Sequence, residues 1–253
     1  MDLENYRDII NNFFDTSFDE KFYCSQYSEE ENKKLAEDII KLLDIRRGNH
    51  ILDWCGGWGR ISIHFARKGY KVTILDIMQD RLLRAKEIFK QEHLPLTTIC
   101  ADCRKTPSGI NADYAVCLFC SVGFFNDREQ INSFKSLYGA LKKSGKFILD
   151  CLNLFFLADK KFEDTKMKRK DGKINIQRNE FDFYGNILHS YYKIVNEKWK
   201  VEEETEFYQR LYTPRDITSL LAAAGFKIES IYGNYDGEPI SFISPQIVVV
   251  ASK

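Results

Sequence analysis

From residue 50 onward the chain alternates short apolar runs with segments of helical spacing, and this alternation constrains the fold more than any other feature. His50-Ile51-Leu52-Asp53-Trp54 leads into a helical stretch from about Trp58 to Lys68 that stops at Gly69. Lys71 to Ile77 is a second apolar run, and Leu82, Leu83, Ile88 and Phe89 keep helical spacing over 80–92. Further strand-like runs lie at 96–102, 113–119 and 146–152, the last preceded by a helix from Asp127 to Lys143. Strands that alternate with helices pair in parallel, and near-continuous apolar strands are covered on both faces. The expected core is therefore an α/β layer structure.

The flanks read differently. The first 27 residues are rich in aromatics: Phe13, Phe14, Phe18, Phe22, Tyr23 and Tyr27. Ser28 and Glu31 fit a capping box, and Leu35, Ile39, Leu42 and Leu43 continue at helical spacing. Residues 1–49 are expected to form a helical lid over the core. Residues 153–212 break the alternating rhythm. There FDFYGNILHSYYKIV reads as a hairpin turning at Gly185-Asn186, and EEETEFYQRLY as a further strand, an antiparallel insert added to the main sheet. Thr213-Pro214 then starts a helix that ends before Gly225, and FKIESIYG and QIVVVASK close the chain. All 253 residues read as one domain: lid, α/β core over 50–152, insert, and a closing helix and hairpin over 213–253.

Composition narrows the function. With 37 basic and 37 acidic residues the formal net charge is zero, which argues against a general nucleic-acid binder. No apolar run is long enough to span a bilayer, and the acidic start lacks the pattern of a secretory leader. The odd count of 7 cysteines in a core-rich chain points to free thiols in a reducing, cytoplasmic compartment.

The chemistry concentrates in Leu52-Asp53-Trp54-Cys55-Gly56-Gly57-Trp58-Gly59-Arg60, at the carboxyl end of the first strand. Glycines there let the backbone approach a ligand closely, and helix N–H groups can face it. The second strand ends in Asp76, where a carboxylate can accept both hydroxyls of an adenosine ribose. The third ends in Ala101-Asp102-Cys103, where Asp102 could accept from an adenine amino group. In this order, at strand ends, the chain resembles the class I S-adenosylmethionine-dependent methyltransferases. Their usual pattern is Leu-Asp-x-Gly-Cys-Gly-x-Gly followed by acids ending strands two and three. Leu52, Asp53, Gly57 and Gly59 match; Cys55 replaces the first glycine, Gly56 stands where Cys is common, and Trp58 replaces a small residue. Leu118 to Phe125, Leu211 to Pro214, Ala224 to Phe226 and Tyr232 to Gly237 extend the likeness over about residues 50–253.

The resemblance implies a Rossmann-like, seven-stranded, mostly parallel sheet with helices on both faces, the helical N-terminal lid, and the antiparallel insert after strand five. It implies S-adenosylmethionine as cofactor and methyl transfer to an N or O nucleophile of a small molecule. By motif position the cofactor-binding residues are Asp53, Cys55, Gly57, Gly59, Asp76, Ile77, Asp102, Cys103, Phe119 and Ser121. The side chain of Cys55 is expected to add a Cβ where the cofactor's methionine part passes. No catalytic base is evident; His189, Arg210 and Glu206, all in the insert, are the candidates. The insert also offers a surface through which two copies could pair.

A metal is not expected. Cys100-x-x-Cys103 and Cys117-x-x-Cys120 approach zinc-ribbon spacing, but each pair falls on an apolar strand, where residues three apart face opposite ways. In the family's usual strand order, strands three and four lie about 14 Å apart at roughly 4.8 Å per step. Cys55, Cys103 and Cys120 are instead expected to line the cofactor cleft. Two other functions compete. A nicotinamide-dependent oxidoreductase needs a third glycine where Ser62 stands. A non-catalytic S-adenosylmethionine-binding protein would bind without turnover. A nucleic-acid methyltransferase is disfavoured by Phe119-Cys120-Ser121-Val122 after strand four and by the absence of a Pro-Cys pair.

Overall fold

The computed structural model describes residues 13–14, 27–158, 164–169 and 171–253. The expected contributions of Phe18, Phe22 and Tyr23 to a lid lie outside the described residues.

Two sheets organise the chain. The larger has seven strands: β1 (His50–Trp54), β2 (Lys71–Asp76), β3 (Thr97–Cys100), β4 (Ala112–Cys117), β5 (Leu141–Leu152), β10 (Lys227–Tyr232) and β11 (Gln246–Ser252). Its order is β10-β11-β5-β4-β1-β2-β3, with β3-β2-β1-β4-β5 parallel and β11 antiparallel to both of its neighbours. The helices are α1 (Glu29–Leu43), α2 (Ser62–Arg67), α3 (Gln79–Gln91), α4 (Asp127–Ala140), α5 (Leu154–Ala158) and α6 (Pro214–Ala223). Period-two alternation along β1 sends Leu52 and Trp54 to one face and Ile51 to the other. The first face packs Phe134 and Leu137 of α4 with Ile217 and Leu221 of α6. The opposite face packs Ile39 and Leu43 of α1, Phe65 of α2 and Phe89 of α3.

Local chemistry explains the ends. Both halves of the Ser28–Glu31 capping box form, and the same device joins Thr213 to Asp216 with Pro214 opening α6. Helix α2 is shorter than its pattern predicts, because Gly57 and Gly59 both adopt positive φ and hold the chain in a loop until Ser62. Helix α4 stops at Ala140 rather than Lys143, as Leu141 pairs with Ala112 of β4 and begins β5. Helix α1 is a covering helix of the main sheet: Ala36, Ile39 and Leu43 are fully buried in its core.

The insert departs from expectation. Strands β6 (Thr165–Lys168), β7 (Ile174–Asp182), β8 (Ile187–Val195) and β9 (Val201–Arg210) form a separate antiparallel sheet in the order β6-β7-β8-β9. Among the described residues the two sheets share no ladder; an isolated bridge joins Asn153, just after β5, to Tyr212, just after β9. The β7–β8 hairpin turns where the Gly185-Asn186 pair predicts, with Asn186 at φ 52°. No helix among the described residues is long and apolar enough to cross a membrane.

Candidate active site

A cavity of about 520 Å³ opens at the carboxyl ends of the parallel strands and is roofed by the insert. Every cofactor residue expected from the motif except Gly59 lines it: Asp53, Cys55, Gly57, Asp76, Ile77, Asp102, Cys103, Phe119 and Ser121. Gly59 stands behind, where its φ of 77° and a clash of any Cβ with Ile74 Cδ1 at 2.5 Å demand glycine.

Asp76 ends β2 and is buried. Its Oδ2 accepts the Gly57 N–H at 2.8 Å and its Oδ1 the Met78 N–H at 2.9 Å. Each oxygen keeps a further lone pair, which suits a vicinal diol. Burial raises its pKa against the opposing pull of these N–H donors. Asp53 sits deeper. It accepts from Ser62 Oγ at 2.7 Å, and burial pushes its pKa up to about 7. A Cβ on Gly56 would lie 2.4 Å from its carboxyl carbon, so the acid fills the space that glycine leaves. Ser62, where a nicotinamide fingerprint needs its third glycine, is thereby fully buried and engaged.

Cys55 adopts φ 65°, the left-handed conformation suited to the family's glycine. The N–H groups of Cys55 and Gly56 both donate to Leu75 O, at 2.8 and 3.2 Å, tying the loop to β2. Its side chain reaches Cys103 and Cys117 and packs on the Trp54 side of the core, while the residue still borders the cavity. Strands β3 and β4 lie three steps apart, as expected; Cys117 is within reach because β4 neighbours β1, and Cys103 because it lies beyond β3 on a short turn. Its thiol is raised by the contact with Cys55 and by burial. Cys120 joins Cys55 and Cys103 on the cavity wall.

Asp102 borders the cavity but is engaged by Arg104, whose Nη2 donates to Oδ2 at 2.7 Å and whose backbone N–H donates to Oδ1 at 2.9 Å. Phe119 is covered by the Arg60 guanidinium, 3.8 Å from its ring centre, which also lies over Tyr27 at 4.4 Å. Ser121 turns its hydroxyl to Leu118 O at 2.9 Å.

The three catalytic candidates are placed elsewhere. His189 and Glu206 bond to each other at 3.0 Å, with the His189 ring stacked 3.8 Å from Tyr208, and neither borders the cavity. Period-two alternation puts both on the outer face of the small sheet. Arg210 donates to Asp127 Oδ2 at 3.0 Å and to Gly185 O at 2.7 Å, joining the hairpin turn to the start of α4. The inner face carries other residues that the sequence did not single out: Gln177, Asn179, Ser190, Tyr192 and Gln209, with Phe207. Phe13, Phe14 and Phe124 complete this wall, with Phe13 4.8 Å and Phe124 5.3 Å from Phe207 between ring centres. Among the described residues no group of three or more His, Cys, Asp or Glu side chains is arranged to hold a metal.

The residues present fit an adenosine-bearing cofactor. A buried carboxylate with spare lone pairs meets a glycine loop, and the apolar Ile77 and Ala101 flank it. Comparison with known proteins agrees. Residues 51–145 match the family model of the methyltransferase domain. The putative methyltransferase YqeM of Bacillus subtilis is 25% identical over 197 residues, which cover 75% of this chain and 78% of that protein. The crystal structure of an S-adenosylmethionine-dependent methyltransferase from Clostridium acetobutylicum superposes with a TM-score of 0.78 at 19% identity, covering 95% of this chain and 98% of its own. CalS10, an amino pentose methyltransferase from Micromonospora echinaspora, superposes with a TM-score of 0.70 at 17% identity, covering 93% and 95%. The methyltransferase-domain match over residues 51–145 and the strand order give the chain the fold of the S-adenosylmethionine-dependent methyltransferases.

Proposed function

We propose that the protein transfers a methyl group to a nitrogen or oxygen nucleophile of a small molecule held between the β4 loop and the inner face of the insert. The observation that carries this reading is the continuity of the cavity, from Asp76 and the glycine loop at one end to Ser190, Phe207 and Gln209 at the other. S-adenosylmethionine supplies an electrophilic methyl on a sulfonium. The chain's own residues then have three tasks. Asp76 and the loop of Cys55 to Gly57 fix the cofactor. Phe13, Phe14, Phe124 and Phe207 keep water from the reacting atoms. The insert's polar side chains orient the nucleophile so that its lone pair meets the methyl carbon in line.

Among the described residues no imidazole or carboxylate from the insert borders the cavity. An amine that enters uncharged needs no strong base, so this arrangement favours nitrogen over an alcohol oxygen. The amino pentose activity named for CalS10 is consistent with that preference. The test is a transfer assay with methyl-labelled S-adenosylmethionine and a panel of amines and alcohols. Labelled amine products, fewer from alcohols, are expected. Cofactor binding without any transfer would favour the non-catalytic reading.

A further inference from the structure

We propose that Gln209 is the positioning residue for the nucleophile, and that it selects an uncharged N–H or O–H donor carried on an apolar ring. The proposal rests on the methyl-transfer reading above. Gln209 lies on β9, is 5% exposed and borders the cavity. Its Nε2 donates to Cys120 O and to Val122 O, each at 2.7 Å. Carbonyls only accept, so the amide has one orientation, and both of its hydrogens are used. Oε1 is the polar atom left over. No described residue donates to it, and it is not sealed in the protein interior. A nearly buried acceptor that keeps its surface in a cavity, without a donor, is matched by a ligand donor.

The two carbonyls that Gln209 grips belong to the loop that carries Phe119 and Ser121. This loop is held in an uncommon conformation, with Phe119 at φ 61° and Cys120 at φ 58°. From behind, buried Asp150 accepts the Cys120 N–H at 3.1 Å. From the insert, Gly123 O accepts the Arg210 N–H at 2.7 Å. Gln209 is thus bolted to the cofactor side of the cavity although it comes from the insert. Oε1 sits at a fixed distance from the loop, which is the requirement for aligning an acceptor against a donor.

The surroundings define the ligand. Phe207 packs edge-to-face with Phe124 and Phe14, ring centres 5.3 and 5.9 Å from its own, and together they form an apolar aromatic wall against which a flat or apolar ring can lie. Among the described residues the insert's side chains on this wall are uncharged, and the acids that border the cavity, Asp53, Asp76 and Asp102, lie on the core wall, so no insert carboxylate offsets the cost of bringing in an ammonium. With the nucleophile's N–H or O–H donated to Gln209 Oε1, its lone pair is free to point at the methyl. That pair forms the new bond to carbon, the carbon–sulfur bond breaks with its pair remaining on sulfur, and the proton leaves the product to water.

The probes are aniline and phenol, both uncharged at neutral pH, and benzylamine, which is cationic there. Each is titrated against the full chain saturated with S-adenosylhomocysteine. Aniline and phenol are expected to bind, and benzylamine at least tenfold more weakly. Gln209→Lys keeps donors for Cys120 O and Val122 O but has no acceptor. It should hold S-adenosylhomocysteine within about threefold of the wild type and bind aniline at least tenfold more weakly. Equal aniline binding by that variant, equal benzylamine binding by the wild type, or no binding of aniline and phenol overturns the proposal. Failure of the wild type to bind S-adenosylhomocysteine overturns the methyl-transfer reading instead.

Discussion

The cavity has two walls built on opposite rules. On the core wall, acids are buried at the carboxyl ends of apolar strands: Asp53 is the penultimate residue of β1 and Asp76 the last of β2, and they are 4% and 9% exposed. On the insert wall the groups are amides, a hydroxyl and aromatic rings, while Arg178, Glu180, His189, Lys193 and Glu206 of the same strands face outward. His189 pairs with Glu206, and Tyr191 reaches Glu180, on the far side. A buried carboxylate costs free energy unless donors meet it, so the core wall is preorganised for one ligand with fixed hydroxyls. Neutral amides cost less to bury and can be rearranged by substitution. On the proposed methyl-transfer reading, cofactor binding and acceptor choice would reside in separate structural units, and one seam where these units meet is Gly123.

That seam gives the largest expected effect. A Cβ on Gly123 would lie 2.3 Å from Arg210 O, in a backbone conformation with φ 92°. Gly123→Ala should therefore cost about 3 kcal/mol of unfolding free energy and weaken the grip of β9 on the β4 loop. Chemical denaturation measures it; a loss below about 1 kcal/mol would show that the walls are not locked together there.

The core wall should also show itself in pH dependence. Asp53 is raised from 3.8 to about 7 by burial, so the folded state binds its proton more tightly than the unfolded chain. Its contribution to stability is full below the unfolded pKa and is lost as pH rises through the folded one. The stability difference between wild type and Asp53→Asn should thus fall between about pH 4 and 7, with a slope of at most about 1.4 kcal/mol per pH unit. A flat difference would show that the acid ionises freely in the fold.

A smaller effect concerns the thiols. Cys55, Cys103 and Cys120 border the cavity, and burial contributes to raising both Cys103 and Cys120. Their alkylation should be slow at neutral pH, faster as pH rises, and slower again when S-adenosylhomocysteine is added. Peptide mapping of the labelled chain reads this, and equal rates with and without the ligand would remove these thiols from the cofactor site. The smallest effect belongs to the outer face of the insert. His189→Ala and Glu206→Gln should leave methyl transfer unchanged and alter stability by no more than about 1 kcal/mol. A large loss of turnover in either would move the acceptor site to that face.

The core wall was largely legible in the sequence. Asp53, Gly57, Gly59 and Asp76 are spaced by the strand–loop–helix unit itself, so a linear pattern reports their three-dimensional relation. The insert wall was not. Each of its strands alternates in and out, but the phase depends on how a separate four-stranded sheet docks, and nothing local fixes that. In Ile187 to Val195 both alternating sets hold polar and aromatic residues. His189 drew attention by its chemistry, although Ser190 is the residue that faces the cavity. Asp150 was hidden for another reason. It interrupts the apolar run FILDCL as an ordinary strand acid would, and its bond to Cys120 N–H depends on a left-handed loop 30 residues away in sequence.

The division between the two walls is tested most directly by calorimetric titration of S-adenosylhomocysteine into the wild type, Asp76→Ala and Asn179→Ala. The wild type should bind, Asp76→Ala should lose at least a hundredfold in affinity, about 3 kcal/mol, and Asn179→Ala should stay within about threefold of the wild type. Unimpaired binding by Asp76→Ala, or equal losses in both variants, would contradict a cofactor site confined to the core wall.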